Sequence, residues 1–151
     1  VSVDRDRIVQ IIAKTNQFKL NAQLFGAADI DRRATDVLAI RLTDKLQDYG
    51  IVAVAVTSAT DRSLHIDNWV MSCRVFSRRL EYATRQVLAQ RAAARGLESL
   101  SLTYQPSPKN GLVADLLPRL GFAKNETDVW IARLDPPADA PAHHIAIVGM
   151  Q

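Results

Sequence analysis

The chain has one cysteine, few aromatic residues, no long apolar run and no excess of charge of one sign. A single thiol, Cys73, excludes an internal disulfide and suits a reducing compartment, so a cytoplasmic setting is expected. A membrane-spanning helix needs about 20 consecutive apolar residues, and neither such a run nor a basic–apolar–small leader is present. The 19 Lys and Arg interleave with 16 Asp and Glu, so the charge demands neither nucleic acid nor a membrane as partner. One cysteine with His143 and His144 in a Pro/Ala-rich tail makes no metal-ligand set. The first residue is Val1 rather than Met, and the expectation is a piece of a longer protein.

What is present is a folding composition: 48% apolar and 23% charged over 151 residues, enough for one core. Ile8, Ile11 and Ile12 put a helical stripe on residues 4–14, and residues 27–35 read as a short helix with Asp29 near its start. "VLAIRL" looks extended. Asp48-Tyr49-Gly50 reads as a turn ahead of the strand "IVAVAV", residues 51–56. After "SATDRS" a longer strand is expected over residues 64–75, antiparallel to the one before. A helix from Ser77 or Arg78 to Arg95 comes next, with Leu80, Ala83, Val87 and Ala94 on its apolar stripe and Gly96 as its stop. Then come a strand over residues 97–104, a helix from Gly111 to Leu120 containing Pro118, and two strands around "NET". This order predicts an α/β (α+β) domain over residues 1–134, a mostly antiparallel central sheet flanked by helices. Residues 135–151 read as a Pro/Ala-rich linker ending in a short apolar segment.

A lone cysteine is usually a small buried hydrophobe. Cys73 differs in its setting: it stands where a strand hands over to a helix, with Arg74, Arg78 and Arg79 close by in sequence. Both features favour a thiolate nucleophile. Asn16 ends a helical stripe and would either cap it or donate its amide to an acyl oxygen. Asp48 is a turn residue or a group that orients a base or a substrate hydroxyl. Asp67, by strand parity on one face with His65, Trp69 and Cys73, is a candidate general base if buried and otherwise a solvated strand residue. His65 is set aside as a partner for Cys73, because eight residues of straight strand span about 26 Å at about 3.3 Å each. Lys109 and Asn110 precede a helix, where they would cap it or meet the phosphate or amide of a pantetheine arm.

Two motifs resemble the GCN5-related N-acetyltransferases (GNATs). "LLPRLGF", residues 116–122, is similar to the family's Y-x-x-x-G-F, and "RVFSRR", residues 74–79, stands where its R/Q-x-x-G-x-G/A loop holds the pyrophosphate of coenzyme A. The resemblance implies a GNAT-like fold and a phosphate-binding role for Arg74, Ser77, Arg78 and Arg79. Ser77 and Arg79 fill both glycine positions, which argues against close approach of a diphosphate and so against free coenzyme A.

A narrower resemblance rests on "KTNQFKL", "DYGIVAVAV", "IDNWVMSCRV" and "PSPKNGLVADLLPRLGF". Together they look like the C-terminal GNAT-like half of FkbH-type proteins. Such proteins join this half to a HAD-type phosphatase domain, take a glyceryl group from 1,3-bisphosphoglycerate and load it on an acyl carrier protein for polyketide biosynthesis. The resemblance implies a Cys73 thioester, transfer to the carrier's phosphopantetheine arm, and an upstream HAD domain, whose D-x-D-x-T/V motif this sequence lacks. "HHIAIVGM" resembles the opening of a β-ketoacyl synthase domain, so a downstream ketosynthase is expected; read plainly, it is an apolar strand. The alternatives are an acetyl-coenzyme A-dependent GNAT, and a non-catalytic module that docks a carrier protein through Arg78, Arg79, Arg85, Arg91 and Arg95.

Overall fold

The computed structural model describes residues 2–15, 18–33, 36–43, 48–72, 80–135 and 148–149. The isoleucine stripe makes α1 (Ser2–Lys14), which buries Ile8, Ile11 and Ile12. A two-residue strand, β1 (Phe18–Lys19), lies where the sequence shows only a break. The short helix α2 (Ala27–Arg32) starts as Asp29 suggests: its Oδ2 accepts the Gly26 N–H at 3.0 Å.

Three antiparallel strands come next, β2 (Val37–Thr43), β3 (Asp48–Ala59) and β4 (Ser63–Met71). The expected turn at 48–50 is instead the start of β3, with Asp48 opposite Thr43. Gly50 sits at φ +70, a left-handed conformation that suits glycine, and irregular pairing within the β2–β3 ladder lets the strand begin earlier than its apolar run.

Helix α3 (Leu80–Ala94) buries Leu80, Ala83, Thr84, Leu88 and Ala92, so its inner face is rotated from the expected stripe and Ala94 is exposed. Arg85 on the same helix is buried. It donates from Nε to Leu120 O and from a terminal nitrogen to Arg133 O, both at 2.5 Å, and burial pulls its guanidinium below its ordinary pKa. Strand β5 (Ser99–Leu102), helix α4 (Gly111–Arg119), and strands β6 (Ala123–Lys124) and β7 (Trp130–Arg133) complete the expected order. Pro118 is the penultimate residue of α4 and ends it without a kink in its middle. Within the tail, β8 (Val148–Gly149) pairs with Ile40 and Arg41 of β2.

The sheet runs β6-β7-β5-β4-β3-β2-β8, with β1 also paired to β4. Among the described residues only β4 and β5 pair in parallel, because the α3 crossover joins them. One face of the sheet packs Leu38, Ala55, Leu64, Ile66, Trp69 and Leu100 with α3 and α4. The other packs Val37, Val54, Val56 and Val70 with α1 and α2. The α/β expectation, a mostly antiparallel sheet flanked by helices, holds.

Candidate functional site

The site is set by the parting of β4 from β5. They run side by side from Ser63 to Ile66 and from Ser99 to Leu102. Beyond that β4 continues to Met71, while the chain after β5 leaves through residues 103–110 towards α4. Parted strands leave backbone N–H and C=O groups that need partners. Here the chain supplies them itself. Phe18 pairs with Met71 and Lys19 with Val70. Leu20 N donates to Trp69 O at 3.3 Å, and Asn21 Nδ2 donates to Asp67 O at 2.8 Å. On the other side Gln105 N donates to Leu20 O at 2.9 Å and Asn110 Nδ2 to Lys19 O at 2.8 Å.

The segment Phe18–Asn21 is therefore a bridge between β4 and the loop after β5. Its alternation explains why it fits: Phe18 and Leu20 are fully buried, Lys19 and Asn21 are not. The Phe18 ring meets Trp69 edge-on, with centroids 5.0 Å apart. Buried Asn68 holds the continuation, donating from Nδ2 to Gln23 O at 3.1 Å. Burial also lowers the Lys19 ammonium's pKa, and Lys19 Nζ donates to Ile12 O at 3.0 Å.

Two hollows flank the bridge. The larger, about 990 Å³, is lined among the described residues by Asn21, Gln23, Thr103, Tyr104, Gln105 and Trp130. Its lining is mostly apolar surface, to which Pro106, Ala114 and Trp130 contribute, set with the amides of Asn21, Gln23 and Gln105 and the hydroxyl of Thr103; the charges at its rim compensate each other, Lys124 Nζ lying 3.6 Å from Asp128 Oδ1. The smaller, about 440 Å³, is bordered by Lys19, Asn21, Gln105, Ser107, Lys109 and Asn110. Tyr104 closes the wall between loop and helix, its hydroxyl donating to Asn110 O at 3.1 Å; burial, with Asp115 nearby, raises its pKa.

Of the residues singled out in the sequence, Asn16, Cys73, Arg74, Ser77, Arg78 and Arg79 lie outside the described residues, and Asp48 is described in its backbone only. Lys109 borders the smaller hollow. Asn110 makes no side-chain cap on α4. Its amide is a joint within the protein: Oδ1 accepts from Ser107 N at 2.6 Å, and Nδ2 donates to Gln105 O as well as Lys19 O.

Asp67 is part-buried and paired. Arg33 donates to its Oδ2, and Ser58 Oγ donates to Oδ1 at 3.1 Å. A register shift beside it, with Val56 opposite Asn68 and Thr57 opposite Ile66, makes it the extra residue of a bulge. The bulge resets the strand's period, so Trp69 packs on the α3 side with Ile66 and does not share a face with His65. His65 joins a polar row instead: Nδ1 lies 3.0 Å from Ser101 Oγ, which lies 2.9 Å from Ser63 Oγ, and Nε2 lies 4.0 Å from Asp67 Oδ1. The sequence reading misses Arg33, Ser58 and Ser101, which register brings together, and the bridge Phe18–Asn21, whose two-residue alternation is the available signal.

No protein-family model and no curated protein matches the chain. Solved structures do. The ribosomal-protein-S18-alanine N-acetyltransferase of Escherichia coli is 15% identical with a TM-score of 0.62, over 94% of this chain and 95% of that one. Rv2747 from Mycobacterium tuberculosis, solved in complex with CoA and NLQ, is 13% identical with a TM-score of 0.63, over 83% and 70%. The aminoglycoside 6'-N-acetyltransferase of Enterococcus faecium is 12% identical with a TM-score of 0.60, over 92% and 95%.

The fold is that of the GNAT acetyltransferases. Within a GNAT fold, the Tyr of Y-x-x-x-G-F falls at Leu117, fully buried and without a proton to give. The sequence resemblance raises the expectation of a pantetheine-bearing ligand, and the β4 edge tests it. A pantetheine arm carries amides and would dock on parted strands as an added strand. From Asp67 to Met71 that edge is already hydrogen-bonded to residues 18–21, so an arm paired along β4 does not fit. One feature points the other way: the buried Trp69 Nε1–H has no hydrogen-bond acceptor among the described residues.

Proposed function

We propose that the chain is an acyl-transfer domain that passes a short hydroxylated acyl group to the phosphopantetheine thiol of an acyl carrier protein. Glyceryl is the group the FkbH resemblance implies, and a HAD-type phosphatase is the domain that would supply it. The observation that carries this reading is the larger hollow beside the parting of β4 and β5, a mostly apolar cleft in which a few neutral amides and a hydroxyl, from Asn21, Gln23, Gln105 and Thr103, can orient a small polyhydroxylated acyl group. Cys73, two positions after the last residue of β4, is the proposed acyl-bearing thiol. In the exchange the carrier's thiol gives up its proton and its sulfur attacks the carbonyl on Cys73; a new carbon–sulfur bond forms, the bond to the Cys73 sulfur breaks, and the leaving Cys73 thiolate takes up that proton. The step is nearly isoenergetic, so orientation and support of the oxyanion decide its rate. The acetyl-coenzyme A reading is weakened by Ser77 and Arg79, which fill the two glycine positions of the diphosphate loop; the closed β4 edge bears equally on both readings, because both ligands carry a pantetheine arm.

The test is intact mass after incubation with glyceryl-loaded carrier protein, for the wild type and Cys73→Ala. A glyceryl-sized increase on the wild type alone supports the reading. No adduct on either chain and no transfer to a second carrier sinks it, and transfer undiminished in Cys73→Ala removes the thiol from the scheme.

A further inference from the structure

The bridge Phe18–Asn21 is built in. Phe18 and Leu20 are fully buried, five hydrogen bonds or strand pairings tie it to β4, and two more tie it to the loop after β5. A ligand arriving as an added strand would have to break these contacts and expose both apolar side chains. The hollow on the β5 side needs no such change. It is bordered by the side chains of Asn21, Gln23 and Gln105, together with Thr103 and Tyr104.

We propose that the chain's own strand is the permanent occupant of the β4 edge, and that a thioester ligand is read from the β5 side by the side chains of Gln23, Thr103 and Gln105. The inference rests on the thioester chemistry of the proposed function. It departs from recognition by backbone pairing: specificity comes from neutral side-chain donors and acceptors, which suit the hydroxyls of a short acyl group, while the lining cation Lys124 is offset by Asp128 at 3.6 Å and is a weak site for a nucleotide's phosphates. The acyl-bearing end of the ligand, and not its nucleotide, then carries most of the binding. Glyceryl-pantetheine should bind as well as glyceryl-coenzyme A.

Hydrogen exchange read by mass spectrometry tests this on the whole chain, with glyceryl-S-pantetheine and coenzyme A as probes. Glyceryl-S-pantetheine is expected to slow exchange in residues 103–106 and leave residues 18–20 and 69–71 unchanged; coenzyme A is expected to change neither pair of segments. Gln105→Leu, which keeps the backbone bond to Leu20 and about the same volume, should weaken glyceryl-S-pantetheine about tenfold with an unchanged melting temperature. Faster exchange at 18–20 together with protection of 69–71, on either probe, would show the strand displaced and the arm on β4, overturning the inference alone. No response to glyceryl-S-pantetheine at millimolar concentration removes the thioester reading, and the inference with it.

Discussion

The two halves of β4 solve the same problem differently. From Ser63 to Ile66 the strand alternates, with Leu64 and Ile66 inside and Ser63 and His65 on a polar, partly open face, and its neighbour is β5. From Asn68 to Met71 every residue is buried, and its neighbour is a segment some fifty positions earlier in the chain. The bulge at Asp67 is the hinge between the two regimes. Before it, polar side chains satisfy one another across three strands. After it, helices cover both faces and the backbone edge is satisfied by Phe18–Asn21. The gap between two parted strands here holds a piece of the chain itself.

That contrast can be broken from its closed end first. Phe18→Ala removes a fully buried ring from Trp69 and should destabilise by about 3–5 kcal/mol, read as a fall in the urea midpoint. Asn110→Ala cuts the joint to the loop and leaves Lys19 O and Gln105 O without their donor; about 2–3 kcal/mol is expected, with faster exchange at residues 18–20. In the open half, Asp67→Asn leaves the Arg33 guanidinium without its counter-charge. Because both side chains keep about a fifth of their exposure, the loss should be about 1–2 kcal/mol, below the fully buried range, and a double-mutant cycle with Arg33→Met measures it. The smallest effect is expected at Asp29, whose pKa is lowered first by the Gly26 N–H and then by Arg32. A depressed folded pKa means stability that is fully present above the unfolded titration point and lost as pH falls through the folded one. The gap in melting temperature between wild type and Asp29→Asn should thus hold above about pH 5 and close towards acid.

The open half is more legible in sequence than the closed one. The polar turn "SATDRS" announces β4, the apolar run announces β3, and Gly96 stops α3 with φ +74 as a helix-ending glycine does. These are local signals, and the local part of the GNAT fold comes from them. Strand β1 does not: the alternation from Phe18 to Asn21 is a signal too short to stand out unaided, and what makes Phe18–Lys19 a strand is Val70 and Met71. Asp67 stands out in sequence as an acid that burial would make interesting, but its partners come from α2's end and from β3 and β4, which register alone brings together. Its expected company holds for His65, 4.0 Å away, and fails for Trp69, because parity counted through a bulge loses one step. Asn110 looks like a helix cap because a helix begins at Gly111, whereas its side-chain contacts lie with residues earlier in the chain.

The distance along the chain between Phe18 and Met71 also bears on how the protein assembles. Contacts between remote segments carry the largest loop-closure entropy and tend to form late, after local hairpins such as β3–β4. Phe18 and Leu20 emerge from synthesis well before the edge they are to cover, and wait for it. Substitutions there should then act on the escape from the native state rather than on the search for it: Phe18→Ala is expected to speed unfolding more than it slows refolding, a chevron with its unfolding arm raised and its folding arm little changed. The strand that closes the cleft would be a latch set last, and its hold would be read as a lifetime.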